Sequence, residues 1–130
     1  MGTFYDGTAR NYTHLYDKDM YTSMWTAYPL YYSTIGGSAS ASWKPNPELE
    51  ENDQINIWDK SYGVEYGSTI YSRGHQIPNG DRTGNKEMLK QTFYATNSVP
   101  QIQDGFNGGI WATVEAKIRE QLPSDDSDTL

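Results

Sequence analysis

A small single domain of the α+β class, β-leaning, is what this chain of 130 residues predicts. Three observations carry that expectation. Alternating apolar residues run through the middle of the chain, one helical apolar stripe closes it, and glycine and proline punctuate the rest. The length fits one domain, or one domain with extended parts.

The segment 1–34 is aromatic-rich. Seven of the eleven tyrosines (Tyr5, Tyr12, Tyr16, Tyr21, Tyr28, Tyr31 and Tyr32) fall within it. Tyr12, Tyr16, Met20, Met24 and Tyr28 recur every four residues, and that spacing predicts a short helix near 18–27. Asp17 or Asp19 would cap it and Pro29 would stop it. Thr13, Thr22, Thr26 and the tyrosines pull the other way, toward strands. Leu30 to Ile35 reads as a strand.

Residues 35–53 read as a linker or arm. Gly36-Gly37-Ser38-Ala39-Ser40-Ala41-Ser42 is followed by Pro45, Pro47 and an acidic run. Extended, such a segment reaches about 60 Å, enough to cross a neighbouring subunit. Trp43 within it calls for a surface to land on, and shortening the segment is expected to spare folding.

Residues 54–122 form the expected β-rich core ending in a helix. Ile55 and Ile57 share one face of a run from Gln54 to Asp59, and Val64, Tyr66, Ser68 and Ile70 share one face of the next. Pro78-Asn79-Gly80-Asp81 is a turn. Met88 to Ala95 fits helix or strand, and Pro100 to Gly109 reads as loop. Ile110, Trp111, Val114, Ile118 and Leu122 then make an amphipathic helix, with Glu115 and Arg119 paired on its outer side. Residues 123–130 are an acidic tail.

Composition narrows the function classes. Leu, Ile, Val and Phe sum to only 20 of 130 residues, so a purely aliphatic core is out of reach. There is no cysteine, which excludes disulfides, thiol catalysis and cysteine-based zinc sites. A net charge of −7 argues against nucleic acid as a partner. No run approaches a membrane span, and Met1-Gly2-Thr3-Phe4 opens without a signal-peptide stretch. Synthesis in a cytoplasm without export by that route is the expectation.

Four clusters bring chemistry-bearing side chains together. His14, Asp17 and Asp19 lack a ligand spacing, and a solvated polar face explains them better. Glu48, Glu50, Glu51 and Asp53 lack the alternation and central glycine of a calcium loop. Asp104-Gly105-Phe106-Asn107-Gly108-Gly109 enters a helix, as phosphate-cradling turns do, yet turn and cap chemistry accounts for it. His75, between Arg73-Gly74 and a turn, has no serine, cysteine or acid at a diagnostic spacing. The sequence therefore assigns no catalytic residue, cofactor or metal, and predicts a protein that is not an enzyme.

What remains is adhesion. Tyrosine and tryptophan suit interfaces, since they cover area at low entropy cost and keep a polar tip. Tyr12, Tyr16, Trp25, Tyr28, Tyr31, Tyr32 and Trp43 are the expected partner-binding residues. The texture of the chain (many Tyr, Asn, Ser, Thr and Gly, no Cys, an extended arm) resembles minor structural proteins of tailed-phage particles. That resemblance implies a decoration, connector or tail subunit in a virion or other extracellular assembly, homo-oligomeric and bound to other structural proteins. The alternative is a β-rich carbohydrate-binding module using Trp25, Trp43 or Trp58.

Overall fold

The computed structural model describes residues 1–63, 65–66 (backbone only) and 69–130. Val64 and Ser68 of the second expected strand face lie outside them. The architecture is two antiparallel three-stranded sheets with helices at their flank, as the expected α+β class requires.

The first sheet is a meander of β1 (Gly2–Asp6), β2 (Ala9–Asp17) and β3 (Thr22–Ala27), in the order β1-β2-β3. It takes the place of the helix expected near 18–27. The physical reason lies in the periodicity. A recurrence of four is also twice the strand period, and Tyr12, His14 and Tyr16 share one face of β2. Threonine and tyrosine in the remaining positions favour the strand. Asp17 closes the β2–β3 turn, where its Oδ1 accepts from the backbone N–H groups of Asp19 (2.9 Å) and Met20 (3.0 Å). Register slips at Phe4/Tyr5 and at Leu15/Tyr16 mark a bulge in each pairing.

The second sheet holds β4 (Glu65–Tyr66), β5 (Thr69–His75) and β6 (Ser98–Ile102). β6 includes Pro100, which the sequence assigned to a loop; it pairs with Arg73 in a strand whose other edge is unpaired, where a missing N–H is tolerated. Leu30 to Ile35 is a single turn at Tyr32–Thr34 instead of a strand, and Gln54 to Asp59 is irregular. The Pro78–Asp81 turn is present as one helical turn, Asn79–Asp81. Helix α1 (Lys86–Thr92) resolves the ambiguity after Met88, with Asn85 as its cap: the Asn85 side chain accepts from Met88 N–H.

Tyrosine fills the core that aliphatics cannot. Phe4, Tyr12, Ile77 and Tyr94 form its centre with Tyr28 against it, and the Phe4 and Tyr12 rings stand 4.5 Å apart. Much else inside is polar. Arg82 is fully buried and donates to Asn11 Oδ1 (2.7 Å), to the carbonyls of Asn11 (3.1 Å), Pro29 (2.7 Å) and Asp81 (3.0 Å), and to Thr34 Oγ1 (3.3 Å). One side chain thus joins β2 to the segment 29–34 and to its own turn. Among the described residues it has no carboxylate partner: the Asp81 side chain is taken by Arg119 and by Tyr28 O–H.

The long loop over 35–53 is fastened to the body. Ala39 N–H donates to the Thr83 carbonyl, Lys44 pairs with Tyr94 as a parallel bridge, and buried Asn46 bonds Thr96 and Gln54. Replacing the loop by a short turn is therefore expected to unfold the domain, read as loss of the cooperative transition in circular dichroism.

The C-terminal helix α2 (Ala112–Arg119) follows a widened helical segment, Gln103–Trp111, that is interrupted at Asp104 and at left-handed Gly105 (φ +82°). α2 stands where the sequence places it, but turned over. Trp111, Glu115 and Arg119 face the body, while Ile110, Val114 and Ile118 face outward and are 68%, 39% and 43% exposed. The Glu115–Arg119 pair (3.7 Å) lies inside because Arg119 reaches the buried Asp81 carboxylate. Burial beside Asp81 raises the Glu115 carboxyl, against the lowering pull of Arg119.

Candidate active site around His75

β5 delivers His75 to one end of the second sheet, paired with Ser98 of β6. A Cβ on Gly74 before it would lie 2.2 Å from Cδ of Gln101, whose side chain crosses the strand there and would have to move aside for a larger residue. Alternation puts Arg73 and His75 on the opposite face from Gly74. There the imidazole meets Trp43 at 4.5 Å between ring centres and Phe93 at 4.7 Å, edge-on. Trp43 comes from the long loop and Phe93 from the end of α1, so three segments distant in sequence make this corner.

Two features make the ring chemically distinctive. His75 Nε2 is sealed from solvent, and the imidazole makes no hydrogen bond to any described residue. Burial, and then the neighbouring Arg73 charge, lower its pKa to about 4. The imidazole is thus neutral near pH 7 and able to take a proton. Arg73 sits over Trp43 at 5.8 Å and gives one hydrogen bond, Nη1–H to the Ile57 carbonyl at 3.0 Å. Its remaining guanidinium donors are unspent among the described residues. A groove of about 490 Å³ runs past them, lined by Ser42, Trp43, Trp58, Asp59, Arg73 and Phe93.

The flanks are rigid. Buried Asn97 accepts from Ile77 N–H (3.1 Å) and donates to the carbonyls of Ile77 (3.2 Å) and Thr92 (2.9 Å), tying the segment after His75 to α1. Asn107 donates to Ser72 Oγ (3.1 Å) and Gln103 Oε1 (3.2 Å), which commits its amide hydrogens and leaves Oδ1 as an oxygen donor anchored to β5. Among the described residues no three His, Asp or Glu side chains gather to hold a metal ion. A divalent cation here would keep most of its water, as magnesium readily does.

The sequence model of a family described as DNA/RNA non-specific endonuclease matches residues 3–129. The chain belongs to the DNA/RNA non-specific endonuclease family. This endonuclease-family chain is 30% identical over 118 residues to "Nuclease EXOG, mitochondrial" of Homo sapiens, covering 86% of the chain and 30% of that protein. It is 29% identical over 108 residues to "Nuclease 1, mitochondrial" of Schizosaccharomyces pombe, covering 80% of the chain and 32% of that protein. A crystal structure of an EndoG/EndoGI complex shares the fold with a TM-score of 0.74 at 21% identity, over 91% of this chain and 46% of that one. The chain thus spans less than half the length of these relatives.

These findings overturn the functional expectation. A non-enzymatic phage or virion assembly subunit is replaced by a member of a nuclease family. The exclusion of nucleic acid falls with it, because net charge is a sum over the chain while a substrate meets the local field of groups such as Arg73. A virion or extracellular location is likewise contradicted by relatives named as mitochondrial nucleases. A carbohydrate module has no support in the family.

The expected contact residues scatter. Tyr12 is fully buried, its hydroxyl donating to the Gln91 carbonyl at 2.9 Å, and so presents no surface to a partner. Tyr28 is spent on Asp81, and Tyr16 is half-buried with a sealed hydroxyl. Trp25 and Tyr32 are 42% and 45% exposed, and Tyr31 is half-buried. Trp43 alone of the seven touches His75.

His14 is the other buried imidazole. Ser23 Oγ donates to the Thr96 carbonyl (2.8 Å), so it must accept from His14 Nδ1–H (3.0 Å). Burial, with the N-terminal amine, lowers its pKa to about 4 as well. Both histidines stay neutral in the fold while their unfolded counterparts protonate near pH 6.5. The unfolded chain therefore binds more protons below that pH, and stability is full above about 6.5 and falls as pH drops toward 4. The slope reaches up to about 1.4 kcal/mol per pH unit for a fully shifted His75, less for His14. Urea midpoints between pH 7 and 5 should decline, and the decline should flatten in the His14→Gln, His75→Gln double variant.

Proposed function

We propose that this chain carries the base-catalytic part of a hydrolase that cuts phosphodiester bonds in DNA or RNA, with His75 as general base and Arg73 as the phosphate-holding group. The observation that carries the reading is the His75 imidazole, neutral and without a hydrogen bond among the described residues, beside an arginine whose remaining donors are unspent among them and which lines an open groove. In the reaction, a water oxygen bonds to phosphorus as His75 takes its proton at Nδ1, the ring nitrogen that is not sealed. The ester P–O bond breaks, and the departing sugar oxygen takes up a proton. The Arg73 guanidinium stabilises the charge gathering on the non-bridging oxygens. Asn107 Oδ1 is the oxygen that would hold a hydrated divalent cation, which supplies further charge neutralisation when bound.

Family membership and the named activities of the relatives support this reading. The test is conversion of supercoiled plasmid and of a structured RNA by the purified chain with magnesium present. Cleavage of both that is lost in His75→Ala supports it. Undiminished cleavage in that variant assigns the base elsewhere.

A further inference from the structure

The groove beside His75 has more aromatic wall than base catalysis needs, and one of its rings is unused. Trp43 is committed on its faces and edges to His75, Phe93 (5.2 Å) and Arg73. Trp58 is different. It is half-buried, lines the same groove, and no ring or cation among the described residues stacks on it. Its position is set from behind by a side-chain turn, in which Asn56 Oδ1 accepts from Asp59 N–H (3.3 Å) and Asn56 Nδ2–H donates to Asp59 Oδ2 (2.9 Å). Ile57, next to it, is buried, and its carbonyl holds Arg73. The free indole and the guanidinium that Arg73 extends from β5 are therefore held side by side at one anchored segment.

We infer that this groove is a nucleobase subsite: a single unstacked base of the bound strand lies on Trp58 while the phosphate beside it meets Arg73. The inference rests on the phosphodiesterase reading and names the form of substrate that site takes. The volume, about 490 Å³, is in the range of small-ligand sites. Charge fixes the direction. Asp59 repels phosphate, so the backbone lies on the Arg73 side and the base edge toward Asp59, whose carboxylate accepts from exocyclic amines. Stacking on an indole does not discriminate among bases, because every base has a π face. It does discriminate against paired ones, since a base inside a duplex keeps its neighbours and cannot reach the ring. The substrate class selected is single-stranded, frayed or distorted nucleic acid, without sequence preference.

The test measures binding and cleavage separately. Fluorescence anisotropy, with chelator present to suppress cleavage, compares an eight-nucleotide dT strand, an abasic strand of equal phosphate count and the dT strand in a duplex. The wild-type chain should bind the dT strand about tenfold more tightly than either of the others. Trp58→Ala should erase that difference, and Trp58→Phe should restore most of it, with unchanged melting temperatures confirming the fold. Equal wild-type affinity for the base-bearing and abasic strands overturns the subsite, as does a difference that survives Trp58→Ala. Cleavage of the single dT strand with magnesium, on the same preparations, is read independently: its absence strikes the phosphodiesterase reading, whereas its presence without base preference in binding strikes the subsite alone.

Discussion

His75→Ala should lower the rate of plasmid cleavage by about 10²- to 10⁴-fold, the range a positioned general base contributes. The fold should survive, because the imidazole makes no hydrogen bond to the described residues. Removing it leaves a cavity beneath Trp43, whose ring rests on it at 4.5 Å, so a modest loss of stability accompanies the loss of activity. His75→Gln separates the two effects, since it fills the space and cannot act as a base near pH 7. A rate near wild type in His75→Gln, with a native circular dichroism spectrum, would remove His75 from the chemistry. The wild-type pH profile supplies a second check. A base with a pKa of about 4 stays active down to mildly acidic pH, so the acidic limb should reflect loss of the fold as much as protonation of the catalyst.

Arg82→Met should be the most damaging single change in stability, about 3–5 kcal/mol. The reason is what it leaves behind. Asn11 Oδ1 and the Asn11 carbonyl each lose a donor in a place water does not reach, and the part-buried Pro29 carbonyl loses another. Each stranded acceptor costs about 1–3 kcal/mol, and the methionine returns only part of that by packing. Arg82→Lys should recover little, because one ammonium cannot span β2 and the segment 29–34 as a planar fork does. Thermal unfolding followed by circular dichroism decides it: a shift of only a degree or two would mean water reaches this network. Domains of this size have only about 5–15 kcal/mol to lose, so the methionine variant is expected to express poorly.

How far the sequence could lead is clearest at particular residues. The turn at Pro78–Asp81 and the C-terminal helix were readable because turn chemistry and the helical period are local rules; the α+β class holds, although the alternation of Ile55 and Ile57 marks an irregular segment. The N-terminal helix misled because Tyr12, Tyr16 and Met20 satisfy a period of four that two strand repeats satisfy equally. The orientation of α2 was unreadable for another reason. Glu115 and Arg119 are drawn inward by Asp81, a charge 38 residues away from Arg119 that no helical wheel displays. The site was hidden in the same manner. His75 has no acid or nucleophile near it in sequence, and its partners Trp43 and Phe93 arrive from 32 residues before and 18 after. One local signal was present: Arg73-Gly74-His75 sets a cation and an imidazole on one strand face, with a glycine between them where Gln101 crosses.

The outward stripe of α2 has a colloidal consequence. Ile110, Val114 and Ile118 present an oily ridge to solvent, beside a shallow trough floored by Gly105, Gly108 and Gly109. At neutral pH the net charge of −7 keeps such ridges on separate molecules apart. Near the isoelectric point, about pH 4.6, that repulsion vanishes just where the buried imidazoles have also begun to loosen the fold. Turbidity should therefore rise sharply on acidification through pH 5, and an Ile110→Lys, Ile118→Glu variant, which leaves net charge unaltered, should stay clear to lower pH.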